Sequence, residues 1–358
     1  MIVGVDYWPA TTHAPGVGRY VRELVRALAA HGEDVQLKLL DWGPGERSVG
    51  EPALGLTGRD VRRLRAKAPR RMLGWAARAG LGADRLLAGC DVFHGVFPQF
   101  PRVSRALRTC AVSELPAAGE HAEFGAALRR CAAVITFSRH AAELIAERFD
   151  VPSSAIHALP VGCEHWRRTL LRELPLADPP RVLVLGRLDH ARNPLAVLRA
   201  CERLSAAGRE LSLVYAGRPG DAYDTLRAHA TRSSISSRVQ WLSAPREDEL
   251  PELVARASVL AHLSDDALTP VTLLEALATG CDVVATPAPA FVEALGPHAR
   301  WLSSSAADCD PDELAEALGR ALDARHDALA RRSRQALAAA YSWRRNAALT
   351  LDVWRALL

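Results

Sequence analysis

The feature that most constrains this chain is an alternation kept up from end to end. Short, continuous apolar runs are separated by longer segments with helical periodicity. In the first half the strand candidates are 2–6, 34–40, 90–94, 109–113, 132–137 and 155–159, with Gly, Pro and Asp at their flanks. Between the first two, Tyr20, Val21, Leu24, Val25 and Leu28 recur at helical spacing, with Arg22, Glu23 and Arg26 on the other face. Residues 139–149 show the same organisation, with Ala142, Leu144, Ile145 and Phe149 for the core. A strand that is apolar throughout, without alternation, is one covered on both faces. Helices between such strands supply the cover, so the pattern predicts parallel, doubly wound sheets.

The pattern restarts once. Residues 161–180 hold Pro, Trp, Arg and Asp without a period, as a linker does. RVLVLG at 181–186 then opens a second series, as MIVGVD opens the first, and 211–217, 238–242, 257–263, 282–286 and 299–302 follow. A length of 358 residues has room for two domains. The expected architecture is therefore α/β, two doubly wound domains. Ligands of such sheets bind beyond the carboxyl ends of the strands, and two facing sheets would form an interdomain cleft.

Composition excludes several classes. With 49% hydrophobic and 24% charged residues the chain is not disordered, and a formal charge of +4 is too small to imply nucleic acid. No apolar run approaches the roughly 18 residues of a membrane span. MIVGVDYW has no basic leader and carries Asp6, so it reads as a first buried strand and not as a signal peptide. The seven cysteines are scattered, without CxxC or Cys/His metal spacing, and read as reduced buried thiols in a cytoplasmic protein.

Three segments carry chemistry. In APGVGRYVREL, Gly16 and Gly18 let backbone approach a ligand and lead into a helix whose free N–H groups suit an anion; a plain tight turn is the other reading. In LGRLDHARNP (185–194), Arg187 and Arg192 follow the end of a strand, where two guanidinium forks suit a diphosphate; a solvated arginine pair is the other reading. In DDALTPVTLLEALATGCDVVAT (265–286), Thr269 as N-cap and Pro270 at the first helical position predict a helix start. The N–H groups of Val271 and Thr272 would then form an anion site. Glu275, amid Leu273, Leu274, Ala276 and Leu277, needs a partner: two vicinal sugar hydroxyls, or a structural salt bridge to an arginine.

Taken together, PGVGRYVREL, DVFHG, AVITFSRHAAELIAERFDVPSSAIHALPVG, LGRLDHARNP, DELPELVARASVLAHLS, LLEALATGCDVVAT and the terminal YSWRRNAALTLDVWRALL resemble the family-4 glycosyltransferases over nearly the whole length. That resemblance implies the GT-B fold and retaining transfer from a nucleotide sugar. It implies an acceptor-side domain over 1–163, a nucleotide-sugar-binding domain over 164–340, and a helix over 341–358 that packs back on the first domain. It implies that Gly16, Gly18, Arg187, Arg192, Val271, Thr272 and Glu275 hold the donor, with Arg192 where Lys is usual and Glu275 on the ribose. His94 would contact the transferred sugar.

The sequence also departs from the family pattern. Ala267 stands where an acidic residue normally faces the donor sugar, which leaves Asp266 as the candidate for that place, with Asp265 beside it. Leu268, Thr269 and Pro270 replace the usual Gly-aromatic-Gly, and Ser113 and Glu114 replace a His-Asp pair. A catalytically silent nucleotide-sugar-binding or partner-binding relative is the alternative reading. No metal or other cofactor is expected beyond the nucleotide-diphosphate sugar as co-substrate, and the acceptor is a glycan, a lipid-linked or a small molecule. RDVRRLRAKAPRR (59–71) holds seven basic residues, with Val61, Leu64, Ala68, Met72 and Trp75 on one helical face. It reads either as a peripheral contact with an anionic membrane through 59–75 or as a solvated surface helix. His13, His121 and His140 receive no role.

Overall fold

The computed structural model describes residues 1–358 apart from 13–15, 31–34, 46–53, 55, 57–60, 98–100, 117, 167–169, 171–173, 244 and 266–267. The chain divides into two compact units, Met1–Gly162 with Ser342–Leu358, and Cys163–Tyr341.

The first unit is built on seven parallel strands: β1 (Ile2–Asp6), β2 (Gln36–Trp42), β3 (Val61–Ala66), β4 (Val92–Gly95), β5 (Leu107–Ala111), β6 (Ala133–Thr136) and β7 (Ile156–Ala158). Their order is β3-β2-β1-β4-β5-β6-β7, and every neighbouring pair is parallel. Val3, Val5, Leu39, Phe93 and Ile135 are fully or almost fully buried, as continuous apolar strands covered on both faces must be. Helix Val17–Ala30 buries its apolar stripe, and also Arg22 and Glu23 from the face that periodicity alone would leave to solvent. Arg22 is accommodated by donating from Nη1 to the Ala10 carbonyl at 2.8 Å.

One element corrects the sequence reading. The basic stretch does not form a helix over 59–75; residues 61–66 are β3, the edge strand beside β2, and a helix begins only at Arg71. The reason lies in two buried acids at neighbouring strands. Asp41 on β2 is fully buried and accepts from Arg63 Nε at 3.1 Å and Nη2 at 2.6 Å. Asp6, ending β1, pairs with Arg70, whose guanidinium also stacks over Trp8 at 5.0 Å. These arginines neutralise buried carboxylates, and the extended strand brings Arg63 to its acid.

Helix Trp343–Leu357 belongs to this first unit although it ends the chain. Trp343 and Trp354 are buried, with Trp343 against Tyr20 at 6.0 Å between ring centroids and Trp354 against His94 at 5.3 Å. Asn346 Nδ2 donates to the Pro160 carbonyl at 2.8 Å and ties the helix to the end of the sheet.

The second unit carries β8 (Arg181–Leu185), β9 (Ser212–Ala216), β10 (Val239–Leu242), β11 (Val259–His262), β12 (Asp282–Ala285) and β13 (Arg300–Trp301). They pair in parallel in the order β10-β9-β8-β11-β12-β13. Val182, Leu213, Tyr215, Val259 and Ala261 join one buried cluster with the helices that cover the sheet. Among the described residues no helix is long and apolar enough to cross a membrane.

Candidate functional site

The strand order of the second unit reverses between β8 and β11, which leaves a crevice beyond their carboxyl ends. A pocket lies there, and its walls include Leu185, Arg187, Arg192, Pro194, Ala261 and His262. Gly186 ends the strand with φ +126°, and a Cβ at that position would stand 2.6 Å from Arg192 Nη1. Glycine is therefore what lets the Arg192 guanidinium lie against the strand end. Gly217 serves the same approach from β9, since a Cβ there would stand 1.8 Å from the Gly186 carbonyl oxygen. Arg187 is exposed and donates from Nε to Asp189 Oδ1 at 2.8 Å, and that hydrogen bond pushes its pKa up further.

His262 is the wall residue that sequence reasoning missed. It ends β11, is 93% buried by its 7% exposure, and packs edge-on against Phe291 at 5.4 Å. Burial pushes its pKa down to about 3, and the charge of Arg192 acts in the same direction, so the imidazole is neutral. Its signal in the sequence was a titratable side chain inside the largely apolar run ASVLAHL, at the strand end where ligands bind.

Helix Val271–Thr279 follows β11 and so begins on the carboxyl side of the sheet. Its start differs from the expected one: Pro270, not Thr269, is the N-cap, and no side chain caps the helix. The Pro270 carbonyl takes the amides of Leu273 at 3.1 Å and Leu274 at 3.0 Å, which starts the ladder one residue later. The amides of Val271 and Thr272 fall in the first turn, where a helix offers no intrahelical acceptor. Glu275 is fully buried, and its Oε1 lies 3.0 Å from Nε2 of His165. The structure thus brings Arg187 and Arg192 into one pocket, while Val271, Thr272 and Glu275 lie outside its walls.

Asp265 is committed elsewhere. Both its carboxylate oxygens accept from the Ala306 amide, at 2.8 and 2.9 Å, while Asn193 Nδ2 donates to the Ala306 carbonyl at 3.0 Å. One peptide is clamped from both sides, and the loop before helix Pro194–Ala206 is fixed with it. Asp266, Ala267 and His13 lie outside the described residues.

In the first unit Gly16 adopts φ +72°, and its carbonyl accepts from the Tyr20 amide at 2.9 Å; Gly18 is buried in the helix that follows. His94 is fully buried, with the Tyr20 hydroxyl 3.1 Å from Nε2 and the Thr109 hydroxyl 3.0 Å from Nδ1. Burial holds its pKa down to about 3. Both ring nitrogens are thus occupied by neighbours within the fold, a different occupation from the sugar contact that the resemblance implied. Ser113 is half-buried and Glu114 is exposed, just beyond β5.

Two parallel α/β units, with the chain returning from the second to end on the first, define a GT-B glycosyltransferase fold. It is shared with a sucrose-phosphate synthase from Thermosynechococcus elongatus, at a TM-score of 0.71 and 19% identity over 99% of this chain and 98% of that one. It is shared equally with Anabaena HepE solved in complex with UDP and glucose, at 0.71 and 14% identity over 98% of this chain and 99% of that one. Residues 15–167 match the model of Glycosyltransferase Family 4 and residues 167–339 that of Glycosyl transferases group 1; the chain belongs to this family. An MMP alpha-(1->4)-mannosyltransferase from Mycolicibacterium hassiacum is 28% identical over 232 residues, 63% of this chain. That match spans about half, 54%, of the relative's own length.

Proposed function

We propose that this chain is a retaining glycosyltransferase that moves a sugar from a UDP- or GDP-linked donor to a glycan, lipid-linked or small-molecule acceptor. The observation that carries the reading is the pocket at the β8/β11 switch point with two guanidinium groups in its walls. A diphosphate leaving group develops negative charge, and preorganised cations beside it lower the barrier. HepE was solved with UDP and glucose, and the relative from Mycolicibacterium hassiacum is named as an alpha-(1->4)-mannosyltransferase, which supports glycosyl transfer from a nucleotide-linked donor. In the reaction the bond between anomeric carbon and phosphate oxygen breaks, with its electron pair going to the diphosphate. The acceptor hydroxyl oxygen bonds to that carbon from the same face, and its proton passes to the departing phosphate. No enzymic base is then required. Glu275 would take the ribose hydroxyls, Val271 and Thr272 amides a phosphate, and Gly16 and Gly18 the diphosphate; Asp266 would take the place of the acid replaced by Ala267.

The commitment of Asp265 to the Ala306 amide favours a second reading, a silent relative that binds the donor without turning it over. Incubation with radiolabelled UDP-, GDP- and ADP-sugars distinguishes the two. Transfer or donor hydrolysis supports the enzyme, binding without turnover supports the silent relative, and no binding of any nucleotide defeats both. A peripheral contact with anionic membrane is retained from the sequence reading in a smaller form, on helix Arg71–Arg78. Trp75 is 59% and Met72 40% exposed there, beside exposed Arg71 and Arg78.

A further inference from the structure

We infer that His262 is a third ligand-binding side chain of the β8/β11 pocket, donating an N–H hydrogen bond to the diphosphate that Arg187 and Arg192 attract. This rests on the donor-site reading above and adds a residue to it. The imidazole is 7% exposed and lines the same pocket as both arginines. Its backbone carbonyl accepts from the Thr286 amide at 3.4 Å, and its ring meets Phe291. Among the described residues neither ring nitrogen has a hydrogen-bond partner. The ring nitrogens are not among the described polar atoms sealed from solvent without a partner, so they can be reached from the pocket, and a ligand oxygen entering it can accept from the imidazole.

The contrast with His94 sharpens the case. That histidine is fully buried in β4, and hydroxyls of Tyr20 and Thr109 meet both its nitrogens. The fold therefore completes one buried imidazole internally and leaves the other to be completed from the pocket. A neutral imidazole beside two guanidinium groups adds direction without further positive charge. It retains a donor N–H for a phosphate oxygen and presents the pocket with one fixed geometry.

The probes are inorganic pyrophosphate, UDP and GDP, titrated calorimetrically against the whole chain. His262→Leu should weaken whichever of them binds by about tenfold or more, the loss expected for a hydrogen bond to a charged group. His262→Gln keeps a donor in reach and should stay within about threefold of the native protein. Arg192→Ala is the control for the underlying reading. If Arg192→Ala weakens binding and His262→Leu does not, the inference is overturned while the donor site stands. If neither substitution changes affinity, the donor site itself is wrongly placed and the inference falls with it. Should His262→Leu fail to fold, imidazole nitrogen shifts in the native protein decide: a His262 signal unmoved by saturating UDP or pyrophosphate overturns the proposal.

Discussion

His94 and His262, one in each unit, are held neutral by burial, with pKa values pushed down to about 3. In the unfolded chain each titrates near its ordinary value of about 6.5. Between these values the unfolded state binds the extra proton, so stability is complete above about pH 6.5 and is lost as pH falls toward 3. At about 1.4 kcal/mol per pH unit, each imidazole removes about 2 kcal/mol between pH 6.5 and 5. His94→Gln should lower stability at pH 7 but flatten the decline below it. Urea unfolding at pH 7, 6 and 5 with an unaltered slope would refute this. Glu275 belongs to the same scale. Glu275→Gln keeps its shape and removes its charge, so donor affinity should fall about ten- to hundredfold while the melting temperature moves little. A large fall in melting temperature with donor affinity unchanged would make the His165 contact purely structural. That Glu275 needs a partner was legible from its apolar neighbours. The contact with His165 was not, because that residue stands in the aperiodic stretch after the first unit, where no spacing relates it to a helix more than a hundred residues on.

Elements were legible where their period was clean. Helix Arg139–Phe149 occupies the span its apolar spacing predicted, and Ser138 caps it by accepting from the Ala141 amide at 3.1 Å. Apart from β3, the strands of both sheets fall inside or within two residues of the predicted runs, because continuous apolar strands have one interpretation in an α/β chain. β3 failed that test. An edge strand carrying Arg62, Arg63 and Arg65 has no apolar run to announce it, and its residue spacing also fits a helix. What decided the structure was a pair of buried acids on neighbouring strands, a tertiary fact that local pattern does not contain. The smaller membrane proposal follows from this correction. Arg63 and Arg70 are engaged with Asp41 and Asp6, which leaves Arg71 and Arg78 beside exposed Met72 and Trp75. Sedimentation with anionic vesicles should exceed that with neutral ones, fall with salt, and drop about tenfold or more in Arg71→Ala/Arg78→Ala. Equal sedimentation with both vesicle types, or none with either, removes the membrane reading.

At the scale of the whole molecule the chain passes from the first unit to the second at Gly162/Cys163 and returns at Tyr341/Ser342. Each unit has its own parallel sheet and its own buried residues, so damage to one core should be read out in that unit first. The terminal helix offers the test. Trp354 is fully buried in the first unit, against His94, while lying more than 250 residues after it in sequence. Its removal takes an aromatic payload from a site that cannot collapse without moving β4, since His94 is pinned by Tyr20 and Thr109. Trp354→Ala should therefore cost about 3–5 kcal/mol in the first unit. Hydrogen exchange is the appropriate measurement, because a chain with two cores need not unfold in one transition. Amides of β1, β4 and β5 should lose protection by the factor that this free energy implies, while those of β8, β9 and β11 keep theirs. Uniform loss across both sheets would show instead that the two units unfold as one, and that the terminal helix is a fastener for the whole chain.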